Sequence, residues 1–229
     1  MIIRDLHRWD LTPAEARRLQ ERLAGRVRLA PLPRRMRWVA GADMALDRAA
    51  GACFASVVVL ELPEMKLVEE VAVQGALRFP YIPGLLSFRE GPVLLKAFAR
   101  IEHVPDVVIF DGQGLAHPRR LGLASHMGLW LGIPTVGCAK SRLTGKHDEP
   151  GQEKGRSVPL LDDGEQIGVV LRTRTRVKPV FVSPGHLTDF ETSARLVLDC
   201  CTKYRLPEPT RLADIAVARA KRDTLPPPA

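Results

Sequence analysis

The sequence has few cysteines, and none of them is spaced as a metal-binding or redox pair. Four cysteines occur in 229 residues, two of them adjacent as Cys200-Cys201, and there is no Cys-x-x-Cys pair. Adjacent cysteines cannot readily bridge to each other, so we expect reduced thiols in a cytosolic protein. A zinc site is not expected either.

Long apolar segments are also missing. No apolar run approaches the roughly 18 residues of a membrane span, and the first residues lack the apolar core of a secretion signal. We therefore expect a soluble, cytoplasmic protein that does not enter a membrane. Its 229 residues suffice for one large domain or two small ones, which would bury about 70% of the unfolded surface without disulfides.

Acidic residues are outnumbered by basic ones. Lys and Arg total 34 against 26 Asp and Glu, which gives a net charge of +8 and a pI near 9.7. Such a balance favours a polyanionic partner through long-range attraction and counterion release. Basic chains that bind no nucleic acid are also common, so the charge alone leaves the question open.

The most informative stretch runs over residues 107–120 and reads Val-Val-Ile-Phe-Asp-Gly-Gln-Gly-Leu-Ala-His-Pro-Arg-Arg. Four apolar residues leading into Asp111 predict a buried strand that carries a carboxylate into a cleft. An ordinary strand followed by an Asp-Gly turn is the alternative. The residues after Asp111 that allow close backbone approach or suit phosphate contacts are Gly112, Gly114, His117, Arg119 and Arg120.

Elements of both kinds surround this stretch. The capping box Thr12-Pro13-Ala14-Glu15 predicts a helix over 12–25. Strands are expected at 38–43, 53–60 and 67–73 as an antiparallel meander, followed by a helix after residue 90 and the strand at 107–111. Beyond it we expect a helix opened by Pro118, a strand at 133–139, a loop over 141–166, a hairpin of 167–171 with 180–183, and helices at 191–203 and 210–222.

This order predicts an α/β fold, a mixed β-sheet with helices on both faces, forming a single domain over residues 1–223 and a disordered tail over 224–229. Asp43 and Asp111 would then be neighbours at the centre of the sheet. Two adjacent aspartates repel unless a cation lies between them, and oxygen ligands suit magnesium or manganese. Two such ions about 4 Å apart commonly promote in-line attack on a phosphodiester.

Glu90 and Asp214 are candidates to complete the ligand set. Each has an alternative role: Glu90 as part of a capping box with Ser87, and Asp214 as a first-turn complement to the helix dipole. Lys140 follows the strand at 133–139 and would add a positive charge to the same edge.

Taken together, the sequence resembles the endonuclease V family of the ribonuclease H-like superfamily, from His7-Arg-Trp-Asp-Leu to Pro207-Glu-Pro-Thr-Arg-Leu-Ala213. The blocks that carry the resemblance are Phe79-Pro-Tyr-Ile-Pro-Gly-Leu-Leu-Ser-Phe-Arg-Glu-Gly-Pro92, Asp111-Gly-Gln-Gly-Leu-Ala-His-Pro-Arg119, Ala124-Ser-His-Met-Gly128, Gly137-Cys-Ala-Lys-Ser-Arg-Leu143 and Ser183-Pro-Gly-His186.

The resemblance implies a magnesium-dependent DNA repair nuclease, with manganese as a substitute. It would nick the second phosphodiester 3′ to deoxyinosine, leaving 3′-hydroxyl and 5′-phosphate ends, and some members also cut inosine-containing RNA. No obligate protein partner is implied. The family's acidic ligands fall on Asp43, Glu90, Asp111 and Asp214, the last being histidine in some members.

The same resemblance assigns further residues. The active-site lysine matches Lys140, and His117 matches a residue beside the scissile strand. A rigid wedge for opening the base stack matches Pro80, Tyr81, Ile82 and Pro83. We hypothesise that the flipped base enters a pocket walled by Gly84, Leu86, Gly112 and Leu123, where backbone groups alone check its Watson–Crick edge. His186 is a candidate outer partner of the site.

Other readings remain open from the sequence alone. A related nuclease of the same fold could act on other structure-specific DNA, such as four-way junctions. A non-catalytic nucleic-acid-binding domain could rely on the basic charge, although clustered carboxylates would not help it. Dinucleotide binding is disfavoured, because Gly112-x-Gly114 continues without the third glycine of that fingerprint.

Overall fold

The computed structural model describes residues 1–47 and 51–224. In this part of the chain the helices are α1 (Pro13–Ala24), α2 (Leu86–Phe98), α3 (Leu123–Leu131), α4 (Phe190–Asp199) and α5 (Glu208–Thr224). The strands are β1 (Trp38–Asp47), β2 (Ala52–Glu61), β3 (Lys66–Ala76), β4 (Val107–Phe110), β5 (Thr135–Ala139), β6 (Ser157–Asp162), β7 (Glu165–Leu171) and β8 (Val180–His186).

The eight strands form one mixed sheet in the order β3-β2-β1-β4-β5-β8-β7-β6. The central strands β1, β4 and β5 run parallel, and the remaining pairs are antiparallel. Parallel strands need crossover connections, and α2 and α3 supply them. The three parallel strands therefore end together at one edge of the sheet.

Helices cover both faces of this sheet. One apolar cluster joins the strands to α2 and α3, with Phe98 and Met127 fully buried in it. A second cluster joins the opposite face to α4 and α5, with Val197 and Ala213 at its centre. The predicted α/β class with helices on both faces is thus confirmed.

Several predicted boundaries were wrong. The first strand does not end at Asp43, because β1 continues its pairing with β2 as far as Asp47. Pro118 does not open a helix: the amides of Gly122 and Ala124 bond to the carbonyls of Gly114 and Gln113, which delays α3 to Leu123. The expected loop over 141–166 contains β6, an edge strand with one fully buried residue and hence little apolar signal.

The ends of the helices differ from the prediction by a few residues. The capping box of α1 is present, with reciprocal bonds between Thr12 and Glu15. Helix α4 stops at Asp199 and α5 extends to Thr224, where the tail was expected to begin. The rest of that predicted tail, 225–229, lies outside the described residues.

All four cysteines are free and buried. Among residues 1–47 and 51–224, no helix combines the length and the apolar character that crossing a bilayer requires.

Candidate active site

The register of the central strands brings two aspartates together. Parallel pairing of β1 with β4 ends with Ala42 opposite Phe110, so Asp43 and Asp111 occupy the next position on each strand. Burial raises the pKa of Asp43 to about 7, and the negative charges of Asp111 and Asp214 add to this effect. The Asp43 carboxyl is therefore held where its ionisation needs a nearby cation.

Helix α5 places Asp214 beside this pair. Gly41 lies under the start of the helix, where a Cβ atom would come within 2.1 Å of the Pro209 carbonyl group. The Ser56 hydroxyl on β2 donates to the Ala213 carbonyl at 2.6 Å, which fixes the helix one residue before Asp214. The alternative role at a helix start is wrong, because α5 begins at Glu208 and Asp214 lies in its second turn.

Glu90 reaches the same edge from α2. That helix begins after Leu85 and has no side-chain cap, so the capping-box alternative for Glu90 is also wrong. Pro92 is accommodated inside the helix. Burial, together with the charges of Asp43 and Asp111, raises the pKa of Glu90 to about 8. All four predicted acids therefore interact at one end of the sheet.

Lys140 follows β5 and neutralises part of this charge. Its Nζ atom donates to Asp111 Oδ2 at 2.5 Å, with about half of the lysine side chain exposed. Burial alone would lower the pKa of Lys140, but the bond to Asp111 and the negative charges of Asp111, Asp43 and Asp214 together raise it. Across residues 1–47 and 51–224, no three Asp, Glu, His or Cys side chains converge closely enough to hold an ion as they stand.

A cavity of about 340 Å³ adjoins the acids. Asp111 and Lys140 form part of its wall. The wall also includes all four residues predicted for the lesion pocket, namely Gly84, Leu86, Gly112 and Leu123. Gly112 has room around it, since a Cβ there would make only ordinary contacts with Leu123. Gly114 instead packs on backbone, where a Cβ would lie 2.1 Å from the Pro184 oxygen.

The Pro80–Pro83 segment borders the cavity and projects an aromatic ring. Tyr81 is 66% exposed and is therefore not a core residue. The guanidinium of Arg89 lies 5.8 Å from its ring centroid. Arg89 itself is buried, and its Nε has no hydrogen-bond partner.

The residue after this segment is its anchor. Gly84 adopts a positive φ of 77°, and its carbonyl accepts three hydrogen bonds. The donors are Gln20 Nε2 at 3.0 Å, His117 Nε2 at 3.0 Å and Arg119 Nη2 at 2.8 Å. A loop held at its end by three donors is fixed relative to the cavity.

These contacts correct the expectation that His117, Arg119 and Arg120 offer their donors to phosphate. His117 is buried, its Nδ1 accepts from the Arg119 amide, and burial lowers its pKa to about 4. Arg120 bonds to the carboxylate of Asp162 at 2.9 Å. These three side chains thus bond within the protein, and His117 also lines the cavity with Asp111 and Lys140, so its place beside the scissile strand stays a prediction.

His186 does not reach the site. It pairs with Thr135 at the start of β5, whereas Lys140 follows the other end of that strand. Its Nδ1 accepts from the Arg28 amide at 3.2 Å, and burial lowers its pKa to about 4. The expected outer-partner role is therefore wrong, because β8 runs antiparallel and carries its last residue away from the acids.

Three buried polar residues of the cavity wall were missed from the sequence, namely Gln20, Ser87 and Gln113, whose Oε1 has no hydrogen-bond partner. Gln20 shares the inner face of α1 with Ala16 and Leu23, and a polar residue on an apolar stripe was the available signal. Ser87 bonds through Oγ to His126 Nδ1 at 2.8 Å, and its position in the quoted block gave no hint of this contact.

Comparison with known proteins finds relatives that match most of this chain. A model of the family described as endonuclease V matches residues 21–215. An endonuclease V of Dehalococcoides mccartyi is 50% identical over 216 residues, covering 94% of this chain and 97% of the relative. The crystal structure of endonuclease V from Streptomyces avermitilis superposes with a TM-score of 0.90 at 42% identity, covering 94% of this chain and 95% of that one.

A further solved structure includes nucleic acid. It is endonuclease V (D234N) from Ciona intestinalis in complex with a 23mer DNA containing an inosine followed by a ribo-adenosine. Its TM-score is 0.80 at 28% identity, with coverage of 94% of this chain and 100% of that one.

Proposed function

The chain belongs to the endonuclease V family, and we propose that it is a DNA repair endonuclease that recognises deoxyinosine, the product of adenine deamination. It nicks the second phosphodiester 3′ to the lesion and leaves 3′-hydroxyl and 5′-phosphate ends. The observation that carries the proposal is one edge of the sheet where four carboxylates and a lysine meet beside a cavity of about 340 Å³, which Asp111 and Lys140 help to line. Inosine-containing RNA is a second substrate to be measured alongside DNA.

The oxygen donors of the acids suit magnesium, with manganese as a substitute, although no three of these side chains converge on one point in the described part of the chain. Asp43, Glu90, Asp111 and Asp214 would be the ligands, because oxygen donors suit these ions and because burial, with the neighbouring negative charges adding to it, raises the pKa values of Asp43 and Glu90. Two bound ions would activate water and stabilise the leaving oxygen. Asp111 now accepts from Lys140, so its carboxylate has to be shared between the lysine and the metal.

Lys140 would provide the positive charge that stabilises the phosphate in the transition state. Its ammonium is a compact donor at the junction between the acids and the cavity, where a phosphate oxygen would gain negative charge. Its exposure leaves it able to move from Asp111 to the phosphate. A group aimed at developing charge acts mainly on the rate of the chemical step.

The Pro80–Pro83 segment fits the role of a wedge. Two prolines restrict the backbone on either side of Tyr81. The hydrogen bonds to the Gly84 carbonyl hold the segment in place when the ring contacts DNA. An exposed ring held in this way can fill the gap that a flipped base leaves in the stack. The base would then enter the cavity lined by Gly84, Leu86, Gly112 and Leu123.

One set of oligonucleotides tests the proposal. Duplexes of identical sequence carrying inosine, adenine or guanine at one position should be incubated with magnesium, beside inosine-containing RNA and an unmodified four-way junction. We expect a single nick on the inosine DNA at the second 3′ phosphodiester and none on the adenine duplex. Preferential cutting of the junction, or binding without cutting at any magnesium concentration, would contradict the proposal.

A further inference from the structure

A chain of hydrogen bonds runs from the N-terminal segment to the wall of the cavity. The Nδ1 atom of His7 bonds to the Arg8 carbonyl at 2.8 Å, and its Nε2 lies 2.8 Å from His126 Nε2. The other nitrogen of His126, Nδ1, lies 2.8 Å from the Ser87 hydroxyl. Ser87 is buried and lines the cavity.

The direction of these bonds is determined by their two fixed ends. A carbonyl oxygen only accepts, so His7 carries its proton on Nδ1. The indole N–H of Trp130 can only donate, and it donates to His7 Nε2 at 3.2 Å. The Nε2 atom of His7 therefore carries a lone pair and no proton. His126 must therefore donate to His7 through Nε2.

His126 is neutral as well as oriented. It is fully buried, and burial holds its pKa well below the ordinary value. A neutral imidazole with its proton on Nε2 has a lone pair on Nδ1. The Ser87 hydroxyl accordingly donates its proton to His126, so its oxygen can act only as an acceptor towards any further group.

We propose that the Ser87 oxygen is a specificity-determining acceptor that reads the protonated N1 of hypoxanthine. This inference rests on the proposed function and extends it, since it adds a side chain to a pocket that was expected to read the base by backbone groups alone. Hypoxanthine presents an N–H at N1, whereas adenine presents a lone pair there. An oxygen that cannot turn its own proton outward attracts the first and repels the second.

This contact would discriminate hypoxanthine from adenine, the base that the enzyme has to leave uncut. Adenine is the undamaged parent of the lesion, and a site built around a fixed acceptor rejects an analogue that lacks the matching donor. Guanine also carries a proton at N1, so its exclusion has to come from the shape of the pocket at its 2-amino group. His7 and Trp130 act as positioning residues, because they fix the tautomer of His126.

The test compares two bases within each variant. Matched duplexes should carry inosine or nebularine, a purine with a bare lone pair at N1 and no 6-oxo group, and both binding and single-turnover nicking should be measured. For each measurement, the value for the inosine duplex is divided by the value for the nebularine duplex. In Ser87→Ala this inosine-to-nebularine ratio should fall about 10-fold, the usual effect of losing one buried hydrogen-bond partner. Ser87→Cys keeps the shape but offers a weak acceptor, so it should show a similar fall.

Ser125→Ala is the matched control. Ser125 lies on α3, is fully buried and has no partner for its hydroxyl, and it does not line the cavity. Its ratio should equal that of the wild type. His7→Phe keeps a ring but removes the acceptor for His126, so the tautomer is released and the ratio should fall by less than in Ser87→Ala.

The outcomes separate the inference from the proposed function. A wild-type protein with no preference for inosine would contradict both. A clear wild-type preference that persists unchanged in Ser87→Ala and Ser87→Cys would overturn the role of Ser87 and leave the endonuclease proposal standing. Because each ratio is taken within one variant, a partial loss of stability affects both substrates equally.

Discussion

The acidic edge of the sheet should make the metal-free protein sensitive to alkaline pH, and Glu90→Gln isolates this effect. Glu90 has an ordinary pKa of 4.5 and a folded pKa of about 8, raised first by burial and then by the charges of Asp43 and Asp111. Between these values the folded carboxyl holds a proton that the unfolded one has released. The folded state therefore loses stability as pH rises through this window.

The size of the effect follows from the shift. One pKa unit corresponds to about 1.4 kcal/mol, so the Glu90 carboxyl should cost the folded protein less than about 1 kcal/mol at pH 5 and about 4 kcal/mol at pH 8. Removing the charge with Glu90→Gln should raise the free energy of unfolding by a similar amount at pH 8 and by little at pH 5.

Urea denaturation in EDTA at pH 5, 6.5 and 8 measures this difference. Glu102→Gln, at an exposed position, is the control and should change the free energy of unfolding equally at all three pH values. Magnesium should stabilise the wild type most at pH 8 and Glu90→Gln much less. A Glu90→Gln variant that is as destabilised at pH 8 as at pH 5 would refute the reasoning.

Four further substitutions test the site. Asp43→Ala should reduce nicking by at least about 100-fold while inosine DNA still binds, since it removes a proposed metal ligand and leaves the basic surface; near wild-type turnover would exclude it as a ligand. Lys140→Ala should lower the single-turnover rate about 100-fold with little change in Kd, and a loss confined to Kd would reassign Lys140 to general DNA binding. Tyr81→Ala should weaken cutting of duplex DNA about 10-fold and of single strands far less, whereas equal losses would remove the wedge role. Gly41→Ala should destabilise the protein by about 2 kcal/mol and reduce nicking at magnesium concentrations that saturate the wild type, because the new Cβ would displace the start of α5; unchanged thermal unfolding would contradict the close packing on Pro209.

Local sequence patterns were enough to find the strands that form the acidic edge. An apolar β-branched run that stops at Asp111 predicts a buried strand, and parallel strands in an α/β sheet end together, so the proximity of Asp43 to Asp111 could be expected. The edge strand β6 gave no comparable signal, because only Leu160 along it is fully buried. Periodicity reports burial and is therefore weakest where a strand has little of it.

The partners of polar side chains could not be obtained in the same way. His117 and Arg119 have the chemistry of phosphate donors, yet both bond to the carbonyl of Gly84, which is more than thirty residues distant in sequence. Nothing in the local pattern distinguishes a donor that is satisfied inside the protein from one that faces a ligand. His186 failed for a related reason, since the direction of β8 decides which end of the sheet it reaches.

The join between the acids and the cavity gives the proposed function a fixed geometry. Asp111 and Gly112 are consecutive, so a proposed metal ligand and a wall of the base pocket are separated by a single peptide unit of about 3.8 Å. The loop after them is held in place by a buried hydrogen bond, in which the Gly114 amide donates to Ser183 Oγ at 2.8 Å. On the proposed function, a base bound against Gly112 is held at a constant distance from the carboxylates. The path of the DNA strand between the base and the carboxylates then determines which phosphate reaches them. A constant offset between lesion and nick then follows from the rigidity of this loop, and it requires no contact with the bases in between.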